Sequence, residues 1–294
     1  MTKSSEPSPT SLHMLQDEID GANAVYAHEV PAGATPIVSP FLTLLDFNLN
    51  GFFALAYEQD GVVFVAFEGT QPDLTVYGLS SLAADFQILT GQWPAALTDA
   101  ILFTMGVESL AGSTPVYVTG HSLGGAEAEA VALYASRPFD NFSIAGGVTF
   151  GAPGLPGYYG ATGRGNLTDY VDYGDPVGNY AHESQLGAIA ATGNHFGTVN
   201  YVGPGSDAIA MVVDFLTGHV NDAFVFHDLS HYAADLGLTI ENPGESGAVM
   251  TFVSGTAPPV QVVPEPPPPQ EGHVEAAIVT HHEAAALHAH HFLI

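Results

Sequence analysis

Gly120-His121-Ser122-Leu123-Gly124-Gly125 is the stretch of this chain best suited to covalent chemistry. It follows a short apolar run, residues 116–119, and opens an alanine-rich stretch with helical character, residues 123–136. A serine at a sharp strand-to-helix turn is pushed out of the sheet, and small neighbours are required because side chains there would clash. The helix that follows aims its first N–H groups at a reacting carbonyl, where negative charge develops. Ser122 is therefore the expected nucleophile of an acyl transfer. Phe67-Glu68-Gly69-Thr70 ends another apolar run, and the Thr70 hydroxyl and N–H could complete an oxyanion hole with the N–H of Leu123.

A serine needs a base to take its proton and an acid to orient that base. Asp175, in Gly174-Asp175-Pro176-Val177, follows an apolar run and is the expected acid, with Asp172 as its nearest rival. Before the proline-rich stretch, five histidines come later in the chain than Asp175: His182, His195, His219, His227 and His231. His227 and His231 are four apart, so helical periodicity does not separate them.

These groups must be carried by a scaffold. Residues 52–57 and 62–67 read as two strands joined across Asp60-Gly61, a hairpin turn. Residues 94–110 place Leu97, Ile101 and Met105 at helical spacing behind Pro94. Trp93, the single tryptophan, reads as a packing anchor. Strands are expected at 143–150, 167–173, 195–202 and 248–253, and helices at 11–19, 207–216 and 228–236. Strands alternating with helices imply an α/β fold with a mostly parallel central sheet covered by helices.

Taken together, these residues resemble the class 3 lipase family, the fungal triglyceride-lipase type of α/β-hydrolase fold. The resemblance runs over residues 45–236 and includes Ala84-Asp85-Phe86 and His227-Asp228-Leu229-Ser230-His231-Tyr232. It implies Ser122 as nucleophile, Asp175 as acid and His227, five residues before Tyr232, as base. Thr70 and Leu123 would form the oxyanion hole, and a lid would occupy residues 71–84. The family usually has Arg where this chain has Glu68. Glu68 and Asp85 would repel if close and both ionised. The implied reaction is hydrolysis of a lipid or small carboxylic ester by an acyl-enzyme, with no cofactor. Acyl transfer or polyester cleavage would use the same triad, and a degenerate hydrolase would only bind lipid or protein.

Composition narrows the partners. Lys3, Arg137 and Arg164 are the only basic residues besides histidine, against 31 acidic ones, for a formal net charge of −28. Such a surface repels a phosphate backbone, so nucleic acid is excluded, and anionic headgroups are disfavoured. Transient contact with a lipid interface stays compatible. The imbalance comes from missing Lys and Arg, not from abundant carboxylates. Cysteine is absent, which removes disulfides and thiolate chemistry. No run of eighteen apolar residues marks a transmembrane segment. The amino terminus lacks the basic-then-apolar profile of a cleaved signal, implying a cytoplasmic protein or export by a signal-independent route.

Four regions are expected. Residues 1–10 form a disordered leader, 11–257 the catalytic domain, 258–272 a stiff proline-rich linker and 273–294 a histidine-rich tail. His288 and His290 could hold a transition metal weakly. No acidic or thiolate pattern completes a site there, so the tail reads as flexible and polar.

Overall fold

The computed structural model describes residues 9–42, 52–70, 87–88, 91–137, 142–183, 193–219, 222 and 224–240. All of them belong to the first of two compact units, Met1–Phe252; the second, Val253–Ile294, lies outside the described residues. The expected leader (to residue 8), lid, Asp85, strand 248–253, linker and tail also fall outside them.

Among the described residues seven strands form one sheet in the order β1 to β7: β1 Thr35–Pro36, β2 Ala54–Gln59, β3 Val62–Phe67, β4 Val116–His121, β5 Gly146–Phe150, β6 Leu167–Asp172 and β7 Thr198–Val202. The first three run antiparallel, and β3 to β7 are parallel throughout. The hairpin forms where the sequence places it. Asp60 and Gly61 both take positive φ, 51° and 79°, as a two-residue turn matching strand twist requires. Helices α1 Pro9–Ala24, α2 Ala95–Ala111, α3 Leu123–Ala135, α4 Ser206–Thr217 and α5 Leu229–Leu236 complete the α/β architecture. Among the described residues no helix is long and apolar enough to cross a membrane.

Strand β3 shows why the sheet is covered on both faces. Val63, Val65 and Phe67 point into a core shared with Leu97, Phe103 and Leu123 of α2 and α3. Phe64 and Ala66 alternate to the other face, beside Val25, Tyr26 and Tyr57. A strand buried on both faces reads as a continuous apolar run, as this one does. Each fully buried Val or Phe contributes about 1.5–3 kcal/mol. Ile19 of α1 and Leu229 and Tyr232 of α5 cover Val148 and Phe150 of β5.

Several boundaries differ from expectation. Helix α1 begins at Pro9, inside the expected leader, and runs on to Ala24. On α2 the buried stripe is Ala96, Ala100, Phe103 and Val107, while Met105 is exposed. Steps of four drift about 40° each around a helix, so a row begun at Leu97 leaves the core face by its third member. Trp93 is 40% exposed and donates to Thr98 Oγ1 at 3.3 Å, so it is no core anchor. Strand β7 starts at Thr198 and not at His195 because two backbone donors are already taken. The N–H groups of His195 and Phe196 bond the carboxylates of Glu183 and Glu129, at 2.6 and 3.0 Å.

Candidate active site

Ser122 occupies the turn between β4 and α3 with φ 58° and ψ −124°. A non-glycine residue held there stores about 1–3 kcal/mol of backbone strain, which the surrounding packing must enforce. The enforcement is visible in the glycines. A Cβ on Gly124 would strike the backbone of Phe67, and one on Gly120 would strike Gly124 itself. Strand β3 and helix α3 therefore approach as closely as backbone allows, and the serine is forced outward.

The structure brings Ser122, His227 and Asp175 together. Ser122 Oγ lies 2.8 Å from His227 Nε2, and His227 Nδ1 lies 2.9 Å from Asp175 Oδ2. A carboxylate only accepts, so Nδ1 carries the proton and Nε2 is free to accept from the serine hydroxyl. His227 closes the short 3₁₀ turn Phe224–His227, just before α5. The α5 N-terminus is capped by Asp228, whose side chain accepts from Ser230 N at 2.8 Å. Asp175 is fully buried, and its Oδ1 accepts from Val177 N at 2.7 Å. Burial pushes this carboxyl upward, but the His227 imidazole and bonds from His227, Tyr232 and Gly178 outweigh it and hold it below the usual range.

Two residues that sequence reasoning did not single out hold this pair. Tyr232 donates its hydroxyl to Asp175 Oδ2 at 2.5 Å and accepts from Asp172 N at 3.1 Å. Burial and the neighbouring carboxylate raise its pKa well above the ordinary tyrosine value, so it stays a donor. His121, beside the nucleophile, donates from Nε2 to the His227 carbonyl at 2.7 Å and accepts at Nδ1 from the Tyr26 hydroxyl at 2.9 Å. Its ring lies 4.7 Å from that of His227. Burial, then the charge of His227, lower its pKa to about 3, so it is a neutral strut. The signal for His121 was its place in the elbow; for Tyr232, its burial could be read only with α5 in place.

The oxyanion candidates flank the elbow. Leu123 is the first residue of α3, so its N–H has no acceptor within the helix. Phe67 pairs with Gly120 across the parallel β3–β4 ladder, which puts Thr70, three residues on, level with the serine turn. Glu68 is buried and pairs with His28 Nε2 at 3.0 Å.

The rivals are engaged elsewhere. Asp172 faces His231 and Asp235, and burial followed by the Asp235 carboxyl push it up to about 8. His195 is buried with Glu129, Nδ1 to Oε1 at 2.8 Å, and its Nε2 donates to the Gly178 carbonyl at 3.1 Å. Burial alone would lower its pKa, but the Glu129 carboxylate, helped by Asp169 and Glu183, raises it to about 10. His182 is exposed, and His219 bonds Thr217 Oγ1 at 2.9 Å on the surface.

No protein-family model matches the chain, and no curated protein matches it. Among solved structures it is similar in fold to a fungal lipase in complex with an inhibitor, at 13% identity over 69% of this chain and 83% of that one, with a TM-score of 0.44. It is also similar to the Rhizomucor miehei lipase propeptide complex (16% identity, 68% and 71% covered, TM-score 0.43). A third similar structure is the Lip2 lipase from Yarrowia lipolytica (13% identity, 69% and 82% covered, TM-score 0.40).

Proposed function

We propose that this chain is a serine hydrolase of carboxylic esters, working through an acyl-enzyme. The observation that carries the reading is the continuous relay from Ser122 Oγ through His227 to a buried, ionised Asp175, with spacings of 2.8 and 2.9 Å. His227 takes the serine proton as Oγ attacks the ester carbonyl. The developing oxyanion is met by the N–H of Leu123 and by Thr70. His227 then protonates the departing alcohol. In the second half water attacks the acyl group, His227 again takes and returns the proton, and the acid leaves. Asp175 stabilises the imidazolium that forms in each half.

The substrate class follows from charge and surface. A chain carrying −28 disfavours anionic esters, so neutral acylglycerols or small neutral esters are the expected substrates. Ile209, Val213 and Leu216 expose an apolar stripe on α4, which suits transient contact with a lipid interface. A chain-length series of p-nitrophenyl esters tests the reading. The wild-type protein should hydrolyse them, and a folded Ser122→Ala variant should lose at least about three orders of magnitude in kcat. Retention of most activity in that variant removes the reading. Complete inactivity of the wild type toward all chain lengths would favour a hydrolase fold that only binds.

A further inference from the structure

A second group of ionisable side chains stands behind the acid loop. Asp172 closes β6, Asp207 lies in the first turn of α4, and His231 and Asp235 sit one turn apart on α5. His231 Nε2 is 3.7 Å from Asp172 Oδ2 and 3.7 Å from Asp235 Oδ2. Asp172, Asp207 and His231 each offer an atom within 4.8 Å of the others. Gly203, at φ +73°, leaves β7 against this group. A Cβ there would touch Asp172 Oδ2 and stand 3.0 and 3.2 Å from Asp235 Oδ2 and Asp207 Oδ2. Three carboxylate oxygens thus face one stretch of bare backbone.

The spacing is wrong for hydrogen bonds and right for shared coordination. A donor and acceptor 3.7 Å apart do not form a hydrogen bond. Two ligands held at about 2.1 Å by one tetrahedral ion lie about 3.4 Å apart. The buried atoms are also unsatisfied. Asp172 is fully buried; its Oδ1 accepts from Gly174 N at 2.6 Å, while its Oδ2 faces the Asp235 carboxyl and bonds no N–H group. His231 Nε2 is buried without a hydrogen-bond partner as well. Leaving two such buried atoms uncompensated is costly, and this chain has only three basic residues besides histidine.

We propose that Asp172, Asp207, Asp235 and His231 form a binding site for a divalent metal ion. The imidazole among the oxygens favours Zn²⁺ over Ca²⁺, which prefers oxygen alone. The ion would tie the end of β6 to the first turn of α4 and to one face of α5. Strand β6 leads into Asp175, and α5 carries Tyr232 and follows His227, so the ion positions the acid and base loops without touching the reacting atoms. The site stands independently of any role for Ser122, because its readouts are metal content and thermal stability.

The test uses the full chain with the six tail histidines (His273, His281, His282, His288, His290 and His291) changed to alanine, which removes weak binding by the tail. After treatment with a chelator and dialysis against Zn²⁺, elemental analysis should give one Zn²⁺ per chain, with a Tm higher than that of the stripped protein. Calcium should bind at least about tenfold more weakly. Asp172→Asn and Asp207→Asn should each weaken Zn²⁺ binding at least about tenfold. Asp207, partly exposed on α4, covers the case in which Asp172→Asn fails to fold. Failure of the parent to bind Zn²⁺, or unchanged stoichiometry and affinity in a folded Asp207→Asn variant, overturns the proposal.

Discussion

Tyr232→Phe removes a single oxygen from a fully buried ring and leaves the ring's packing against Phe150 and His121 in place. Two hydrogen bonds go with it. The bond donated to the ionised Asp175 is of a kind that contributes about 1.5–3 kcal/mol, and stranding the buried Asp172 N–H costs about 1–3 kcal/mol more. Together the loss is about 3–5 kcal/mol, which in a domain of this size lowers Tm by roughly 10 °C. The pH dependence identifies the source. The folded pKa of Asp175 is depressed, so its stabilisation is present above 3.8 and lost as pH falls through the folded value. Taking away a donor to the carboxylate moves that value back toward normal. The stability gap between wild type and variant should therefore be widest at neutral pH and narrow below 3.8, once the carboxyl is protonated in both. Asp175 keeps Val177 N–H and His227, so kcat should fall about tenfold and not a thousandfold. Thermal unfolding from pH 3 to 8, with ester turnover at pH 8, measures both. An unchanged Tm, or a gap that does not vary with pH, would refute the assignment of Tyr232 as a prop of the acid.

Thr70→Val should lower kcat by roughly 10²–10³ with little change in KM, because an oxyanion donor acts mainly in the transition state; a rise in KM alone would make Thr70 a binding residue. Gly124→Ala should abolish both the elbow and activity, since its methyl would strike the Phe67 backbone; a crystal structure or near-UV spectrum identical to wild type with full turnover would contradict this. His195→Gln should destabilise the fold by about 3–5 kcal/mol at pH 7, as breaking a buried ion pair does. The His195 pKa is raised from 6.5 to about 10, so its contribution is complete below 6.5 and disappears as pH rises through 10. Wild-type stability should decline over that window and the variant's should not, as denaturant titrations at pH 6 to 10 would show.

The residues that punctuate the chain locally were the ones legible in the sequence. Asp60-Gly61 and the Gly120–Gly125 elbow mark their turns because backbone sterics admit few residue types there. The mostly parallel character of the sheet followed from strands alternating with helices. The partners of Ser122 were harder, since His227 and Asp175 lie 105 and 52 residues from the groups they bond. Helical periodicity does not distinguish His227 from His231, four residues on; in the sequence only its place before the expected helix and the family spacing to Tyr232 favour His227. Tertiary packing separates them, because His227 ends a 3₁₀ turn facing Ser122 while His231 turns toward Asp172 and Asp235. The start of β7 was misplaced for a related reason. Carboxylates of Glu183 and Glu129, distant in sequence, capture the N–H groups that a strand would have used. The buried pairing of Glu129 with His195 left no trace in periodicity, since Glu129 sits in an alanine-rich helix where a charged residue is expected to face water.

The central claim is that Ser122 is activated by His227. Incubation of the full chain with a fluorophosphonate, followed by peptide mass mapping, tests it most directly. The account predicts a single adduct on Ser122 at neutral pH, with the labelling rate reduced at least about a hundredfold in a folded His227→Ala variant. Absence of the adduct in wild type, or labelling at an undiminished rate in His227→Ala, would contradict it.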